Sequence, residues 1–161
     1  MQRRAFLVAA AAASVVASSA AKAQGFGDMS SASTQVLMIG GFSLQTSQLA
    51  LQRSRSSQIR DFAQLEANEQ AAVAAALGAQ PGSVPLSQDQ ATMLQQLSSL
   101  SGRQFDRMYV KGQIEGHQQL LDLNTANSQT GANPTSRAVA VVSVPSIQTH
   151  LYILSRLHAT A

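Results

Sequence analysis

The stretch Ser101–Leu121, SGRQFDRMYVKGQIEGHQQLL, decides how the rest of the chain is interpreted. Its apolar positions recur at steps of four, three and four residues, and they are Val110, Ile114, His117 and Leu121. This spacing is typical of one face of an α-helix. A histidine on such a face is costly to bury unless it is paired or binds something. The stretch therefore predicts an amphipathic helix that carries a polar group into the core.

The same periodicity, followed outward, predicts helices over 34–54, 58–77, 87–100, 103–129 and 134–158. Ser56 or Ser57 is placed to cap the second of these, and Ser87 with Gln90 has the spacing of a capping box. Asn133 is placed to cap the last helix, with Pro134 at its first position. The predicted fold is all-α: an up-and-down four-helix bundle with an extra short helix between the second and third long helices.

Two details of the last helix bear on this prediction. The valines between positions 139 and 144 are β-formers, but the helical spacing that follows them argues against a strand. Pro145 lies inside the pattern, so we expect it to kink or split the helix.

Ser101 and Gln104 repeat the capping spacing at the start of the preceding helix.

The predicted inward faces carry unexpected polar groups. In the first helix the face is Leu37, Gly40 or Gly41, Leu44, Gln48 and Leu51. In the second it is Ile59, Phe62, Glu66, Glu69 or Gln70, Val73 and Leu77. In the last helix His150 lies between Ile147 and Leu154 at helical spacing. Two carboxylates and two histidines are thus predicted to point into one core.

The N-terminal residues 1–23 have the features of a cleaved signal peptide. Arg3 and Arg4 precede an alanine-rich apolar run, and Ala21-Lys22-Ala23 forms an A-x-A cleavage site. The paired arginines favour twin-arginine export. We expect a loose arm over 24–33, a bundle domain over 34–158, and an exported, periplasmic protein, with association with the outer membrane left open.

Charge and composition exclude several classes of protein. The chain has 11 Lys+Arg and 8 Asp+Glu, but three of the basic residues belong to the signal segment, which leaves eight of each sign. A basic surface for nucleic acid is therefore not expected. The absence of cysteine excludes disulfides, thiolate catalysis and cysteine-ligated metals. We expect no transmembrane segment after signal cleavage, and a protein or envelope partner stays unidentified.

Several segments together resemble the bacterial ferritin-like domain of unknown function 4142, whose members are described as exported or outer-membrane proteins. They are 46–51 (TSQLAL), 59–63 (IRDFA), 66–70 (EANEQ), 105–110 (FDRMYV), 112–118 (GQIEGHQ) and His150-Leu151. The resemblance implies a ferritin-like bundle and an exported location. It implies no established activity.

This chain departs from the pattern of that family in its acidic and histidine positions. Relatives carry an acid followed by histidine where this chain has Glu69-Gln70, and a glutamate in the first helix where it offers Ser43 or Gln45. A ferritin-like di-iron site needs a glutamate from each of two helices and Glu-x-x-His from each of the other two. The ligand set here is incomplete, which argues against ferroxidase or oxygenase chemistry.

The candidate site consists of four inward residues, Glu66, Glu69, His117 and His150. One interpretation is a single zinc, iron or manganese ion held by these carboxylates and imidazoles. The other is a metal-free buried layer of hydrogen bonds that fixes helix register, joined by Gln70, Asp106 and Tyr109. Because the first helix supplies no acidic ligand, the sequence favours a structural or interaction role, with a metal-binding, redox-capable role as the alternative, and it predicts no reaction.

Overall fold

A computed structural model describes residues 29–160, and within that range it consists of helices and turns, with no strand. Five helices follow one another: α1 Ser31–Arg53, α2 Ser57–Ala76, α3 Gln88–Ser99, α4 Gly102–Thr130 and α5 Pro134–His158. The all-α prediction is confirmed, including the short helix α3 between the second and third long helices. The predicted signal peptide and residues 24–28 of the predicted arm lie outside the described residues.

The helix ends follow the predicted capping chemistry in three of four cases. The Ser56 and Asn133 side chains accept hydrogen bonds from the first turns of α2 and α5. Ser87 and Gln90 form a complete capping box at α3. Ser101 was predicted to cap α4 but makes no side-chain cap hydrogen bond. Its extended backbone precedes Gly102, whose positive φ of 56° is a conformation that glycine adopts without strain.

The four long helices enclose one interior. Contacts join α1 with α2, α1 with α4, α4 with α5, and α2 with α5, whereas α3 packs against α1 and α4 from outside. One apolar cluster holds Ile59, Phe62, Phe105, Val110 and Leu154, and a second holds Val36, Ile39, Leu120 and Ile147.

The first helix departs from its predicted bounds and face. It begins at Ser31 rather than at Thr34, because Ser30 accepts a hydrogen bond from Ser33 and so acts as the cap. Gln48 was placed on the inward face but is exposed, whereas Ser47 is completely buried. The prediction assigned the larger side chains to the inward face. In the structure the small polar residues of α1 lie on that face and contact polar side chains of α4.

The last helix runs through Pro145 without a break, so the predicted split does not occur. Its valines are helical, but Val141 and Val142 are exposed rather than part of the core. By length and composition alone α5 is the one helix among residues 29–160 that could cross a membrane. It also supplies His150, Leu154 and Leu157 to the interior.

Candidate metal centre

Three side chains from three helices meet in the middle of the bundle. Glu66 comes from α2, His117 from α4 and His150 from α5, and their exposed fractions are 0%, 1% and 3%. Each occupies the inward face predicted from helical spacing. The antiparallel course of neighbouring helices brings these three positions to one level.

One nitrogen or oxygen atom of each of the three side chains lies close to the corresponding atoms of the other two. Glu66 Oε2 lies 3.1 Å from His117 Nε2 and 3.0 Å from His150 Nδ1, and the two ring nitrogens are 3.2 Å apart. These atoms form a nearly equilateral triangle of potential ligand atoms, one oxygen and two nitrogens. The group can therefore present three lone pairs to a common centre.

The second oxygen of Glu66 is held away from the triangle. Oε1 accepts hydrogen bonds from Ser43 Oγ at 2.6 Å and Gln70 Nε2 at 2.9 Å. Gln70 reaches this position because residue 40 is glycine, since a side-chain carbon there would overlap the Gln70 amide oxygen. With Oε1 occupied, the carboxylate is oriented so that Oε2 alone faces the histidines.

The backbone fixes the tautomer of His117. Its Nδ1 lies 2.8 Å from the carbonyl oxygen of Gln113. Because a carbonyl only accepts, Nδ1 carries the proton, and in the neutral ring Nε2 is left with its lone pair facing the triangle. This outward N–H bond to a carbonyl is the arrangement usually found behind a histidine that binds a metal ion.

Glu69 lies beside the triangle rather than in it. Its Oε2 is 3.3 Å from His150 Nε2, the ring nitrogen that points away from Glu66, and it accepts a hydrogen bond from Ser146 Oγ at 2.8 Å. The side chain is 23% exposed. The structure therefore brings together three of the four predicted ligands at one centre and places the fourth behind His150.

The surroundings of Glu66 favour its ionised form. Burial would raise the pKa of Glu66, but hydrogen bonds with His117 and His150, the charge interaction with His117 and a hydrogen bond from Ser43 outweigh it and hold that pKa far below its usual range. Burial would lower the pKa of His150, yet its hydrogen bond to Glu66 and the charges of Glu66 and Glu69 raise it. The interaction between the Glu66 carboxylate and the His150 ring contributes to both shifts.

A second polar network, which the sequence reasoning missed, connects the centre to Tyr109. Ser43 Oγ also lies 2.6 Å from Gln113 Oε1, and Gln113 Nε2 lies 3.3 Å from Ser47 Oγ. Ser47 Oγ is 2.9 Å from the Tyr109 hydroxyl. A detectable pattern was present, because Ser43 and Ser47 are four residues apart on α1 and small polar residues at that spacing share a face.

The remaining predicted members of the polar cluster have different surroundings. Gln70 bonds directly to Glu66, and Tyr109 joins through Ser47, with burial raising the pKa of its hydroxyl. Asp106 is buried but is not a member of the Glu66 group, and among the described residues its Oδ1 has no hydrogen-bond partner.

The Phe62 ring packs against the two histidine rings on one side of the triangle. The ring centroid of Phe62 lies 6.0 Å from that of His117 and 5.4 Å from that of His150, the latter in an edge-on arrangement. Phe62 precedes Glu66 by one turn on α2 and belongs to an apolar cluster. Exclusion of water on this side lowers the local dielectric constant and strengthens the electrostatic interactions among the three groups.

The chain matches the model of a known family. The family model described as a domain of unknown function, DUF4142, matches residues 11–157, so the chain belongs to this family. No curated protein and no solved structure matches the chain. The family places no chemistry on the centre, and any function has to be argued from the side chains themselves.

Proposed function

We propose that this protein binds one divalent transition metal ion, zinc, iron or manganese, through Glu66 Oε2, His117 Nε2 and His150 Nδ1. The observation that carries the proposal is the triangle of 3.0, 3.1 and 3.2 Å formed by these atoms. In a tetrahedral site with bonds of about 2.0–2.1 Å, neighbouring ligand atoms are about 3.3 Å apart. The side chains would therefore need to move by only a few tenths of an ångström.

The chemistry of the donors also fits such an ion. Two imidazoles and one carboxylate form a ligand set found at zinc sites and at non-haem iron sites with open coordination positions. A bound ion in such a set would supply Lewis acidity, and iron or manganese would add redox capacity. Glu66 and His117 each have an outer hydrogen-bond partner that orients the ligand atom inward.

A second candidate function is structural, with the cluster acting as a metal-free hydrogen-bonded layer. The raised pKa of His150 supports it, because a proton on Nδ1 would neutralise Glu66 without an ion. One proton, however, points along one edge of the triangle at a time. A metal ion, by contrast, engages all three atoms at once.

Metal titration separates these two functions. The purified chain, stripped with a chelator, is titrated with Zn(II), Mn(II) or anaerobic Fe(II), and bound metal is measured by elemental analysis after desalting. We expect one ion per chain and a melting temperature that rises with metal concentration. His117→Ala should abolish both effects, while His158→Ala, at the exposed C-terminal end of α5, should change neither.

Absence of bound metal, with a melting temperature unaffected by chelator or ion, would refute the metal-binding function. The structural function would then remain, with the cluster serving to fix the register of the helices. Equal binding by the His117→Ala chain would show that the ion is held elsewhere.

We also infer a ferritin-like bundle and an exported location. The bundle is supported by the ring of contacts among the four long helices and by family membership. Export is supported by the composition of residues 1–23. Arg3→Lys with Arg4→Lys should leave unprocessed precursor in the cytoplasm, while Lys22→Arg serves as a charge-matched control. Normal processing of the double variant would exclude the twin-arginine route but not a signal peptide.

A further inference from the structure

We propose that Glu69, held by Ser146, is a positioning residue that fixes the orientation of the His150 proton, so that Nδ1 can serve as a metal ligand. This inference rests on the metal centre proposed above. It gives a role to a carboxylate that lies next to the three ligands without facing their centre.

The two ring nitrogens of His150 have different neighbours. Nδ1 lies 3.0 Å from Glu66 Oε2, and Nε2 lies 3.3 Å from Glu69 Oε2. A neutral imidazole carries one proton, and a proton on Nδ1 would occupy the lone pair that an ion needs. An acceptor at Nε2 stabilises the other tautomer, in which the proton points outward.

The acceptor is itself held in place. Ser146 Oγ donates to Glu69 Oε2 at 2.8 Å, and this is the same oxygen that faces His150. Ser146 precedes His150 by one turn on α5, so the helix that carries the ring also fixes its partner. Glu69 follows Glu66 by three residues on α2, which places ligand and outer carboxylate on one face.

His117 provides an internal comparison. Its proton is directed outward by the backbone carbonyl of Gln113, which no side-chain substitution removes. The outer hydrogen-bond partner of His150 is instead the side chain of Glu69. Among the described residues, substitution of Glu69 is therefore the way to change the tautomer of a proposed metal-binding histidine. Loss of such an outer partner typically weakens metal binding 10- to 100-fold.

Glu69 is the more solvent-exposed member of its pair with His150. The Glu69 side chain is 23% exposed and lines a surface cleft of about 10 Å³, room for one water molecule, whereas His150 is 3% exposed. Removal of the carboxylate should open Nε2–H to solvent. This effect is measurable without any metal.

The test uses the whole chain, with Zn(II) as the probe. Affinity is measured by competition with a chromophoric chelator for wild type, Glu69→Ala, Glu69→Gln and Ser146→Ala. Glu115→Ala is the control, because Glu115 is an exposed acid whose described ion pair, to Lys111, is long at 3.8 Å. In the metal-free chains, exchange of the His150 Nε2 proton with water is followed by ¹⁵N-resolved NMR.

We expect Glu69→Ala to bind one Zn(II) about 10- to 100-fold more weakly. Glu69→Gln should recover part of the affinity, because its amide oxygen accepts the same proton. Ser146→Ala should show a smaller loss, and Glu115→Ala none. Exchange of the His150 Nε2 proton should be faster in Glu69→Ala than in wild type.

Wild-type affinity in Glu69→Ala, or equal losses in Glu69→Gln and Glu69→Ala, would overturn the positioning role while leaving the metal centre intact. If wild type binds no Zn(II), the proposed metal centre is refuted. The exchange rate of the His150 Nε2 proton then decides by itself whether Glu69 orients the His150 ring. Should Glu69→Ala not fold, Ser146→Ala carries the test, and unchanged affinity together with unchanged exchange overturns the proposal.

Discussion

Two regions of the interior are equally buried but are stabilised in different ways. The apolar cluster around Phe105, Val110 and Leu154 and the polar layer of Glu66 and His117 all have exposed fractions of 0–1%. In the apolar cluster the packing contacts are non-directional, and their strength follows the apolar surface and volume they fill. In the polar layer each group depends on one or two named partners, and losing one leaves the other buried and unpaired.

This difference predicts how each region fails. The apolar cluster should respond to lost volume, in proportion to the cavity created. The polar layer should respond to lost partners, in a non-additive way, and to pH.

The largest effect is expected in the apolar cluster. Phe105 is completely buried and stacks on Tyr109 with centroids 6.3 Å apart. Phe105→Ala should lower the free energy of unfolding by about 3–5 kcal/mol, measured by urea denaturation. Leu65→Ala, at a site 45% exposed, should cost less than about 0.5 kcal/mol. A loss below about 1 kcal/mol for Phe105→Ala would mean that this core is loosely packed.

The next effect is the coupling within the polar layer. Glu66→Ala and His117→Ala should each cost about 2–4 kcal/mol in the metal-free chain, since each leaves a buried partner uncompensated. The double variant should cost much less than the sum. The exposed pair Lys111 and Glu115, treated in the same way, should show coupling below about 0.5 kcal/mol. Additive losses for Glu66 and His117 would show that the layer does not act as one network.

A smaller effect is expected from pH, because protonation leaves the side chains in place. The pKa of Glu66 is lowered by folding, so its contribution is present above its unfolded value near 4.5 and is lost as pH falls toward the folded pKa. The pKa of His150 is raised, so its contribution is present below its unfolded value near 6.5 and is lost as pH rises through the folded pKa.

The metal-free chain should therefore unfold with the largest free energy between about pH 4.5 and 6.5. Denaturation curves across pH test this, with Glu66→Gln as the comparison, because it removes the charge that causes both shifts. A profile as steep in Glu66→Gln as in wild type would assign the pH dependence to groups outside the polar layer.

The smallest effect lies outside both regions. The short helix α3 buries one residue, Leu97, and begins at the capping box of Ser87 and Gln90. Ser87→Ala should cost about 1 kcal/mol by losing the cap, whereas Ser98→Ala, exposed on the same helix, should be near neutral. Equal effects would indicate that α3 is held by packing alone.

Much of the fold was readable from local pattern. The repeat of Val110, Ile114, His117 and Leu121 identified α4, and capping residues located the starts of α2, α3 and α5. These features act over one or two turns of helix, so they are encoded by neighbours in sequence. The same periodicity predicted that Glu66, His117 and His150 point inward, and all three are buried.

Only the tertiary structure decided which inward groups meet. Glu69 has nearly the same helical phase as Glu66, but its carboxylate reaches the far nitrogen of His150, a difference set by the packing of α2 on α5. The choice of Ser47 over Gln48 on α1 depends on Gln113 and Tyr109 across the interior. The sequence by itself determined the helices, their caps and the polar character of the core. The hydrogen-bond partner of each buried polar atom depended on the angles and distances between helices. Those angles and distances are set by packing between residues that are far apart in the chain.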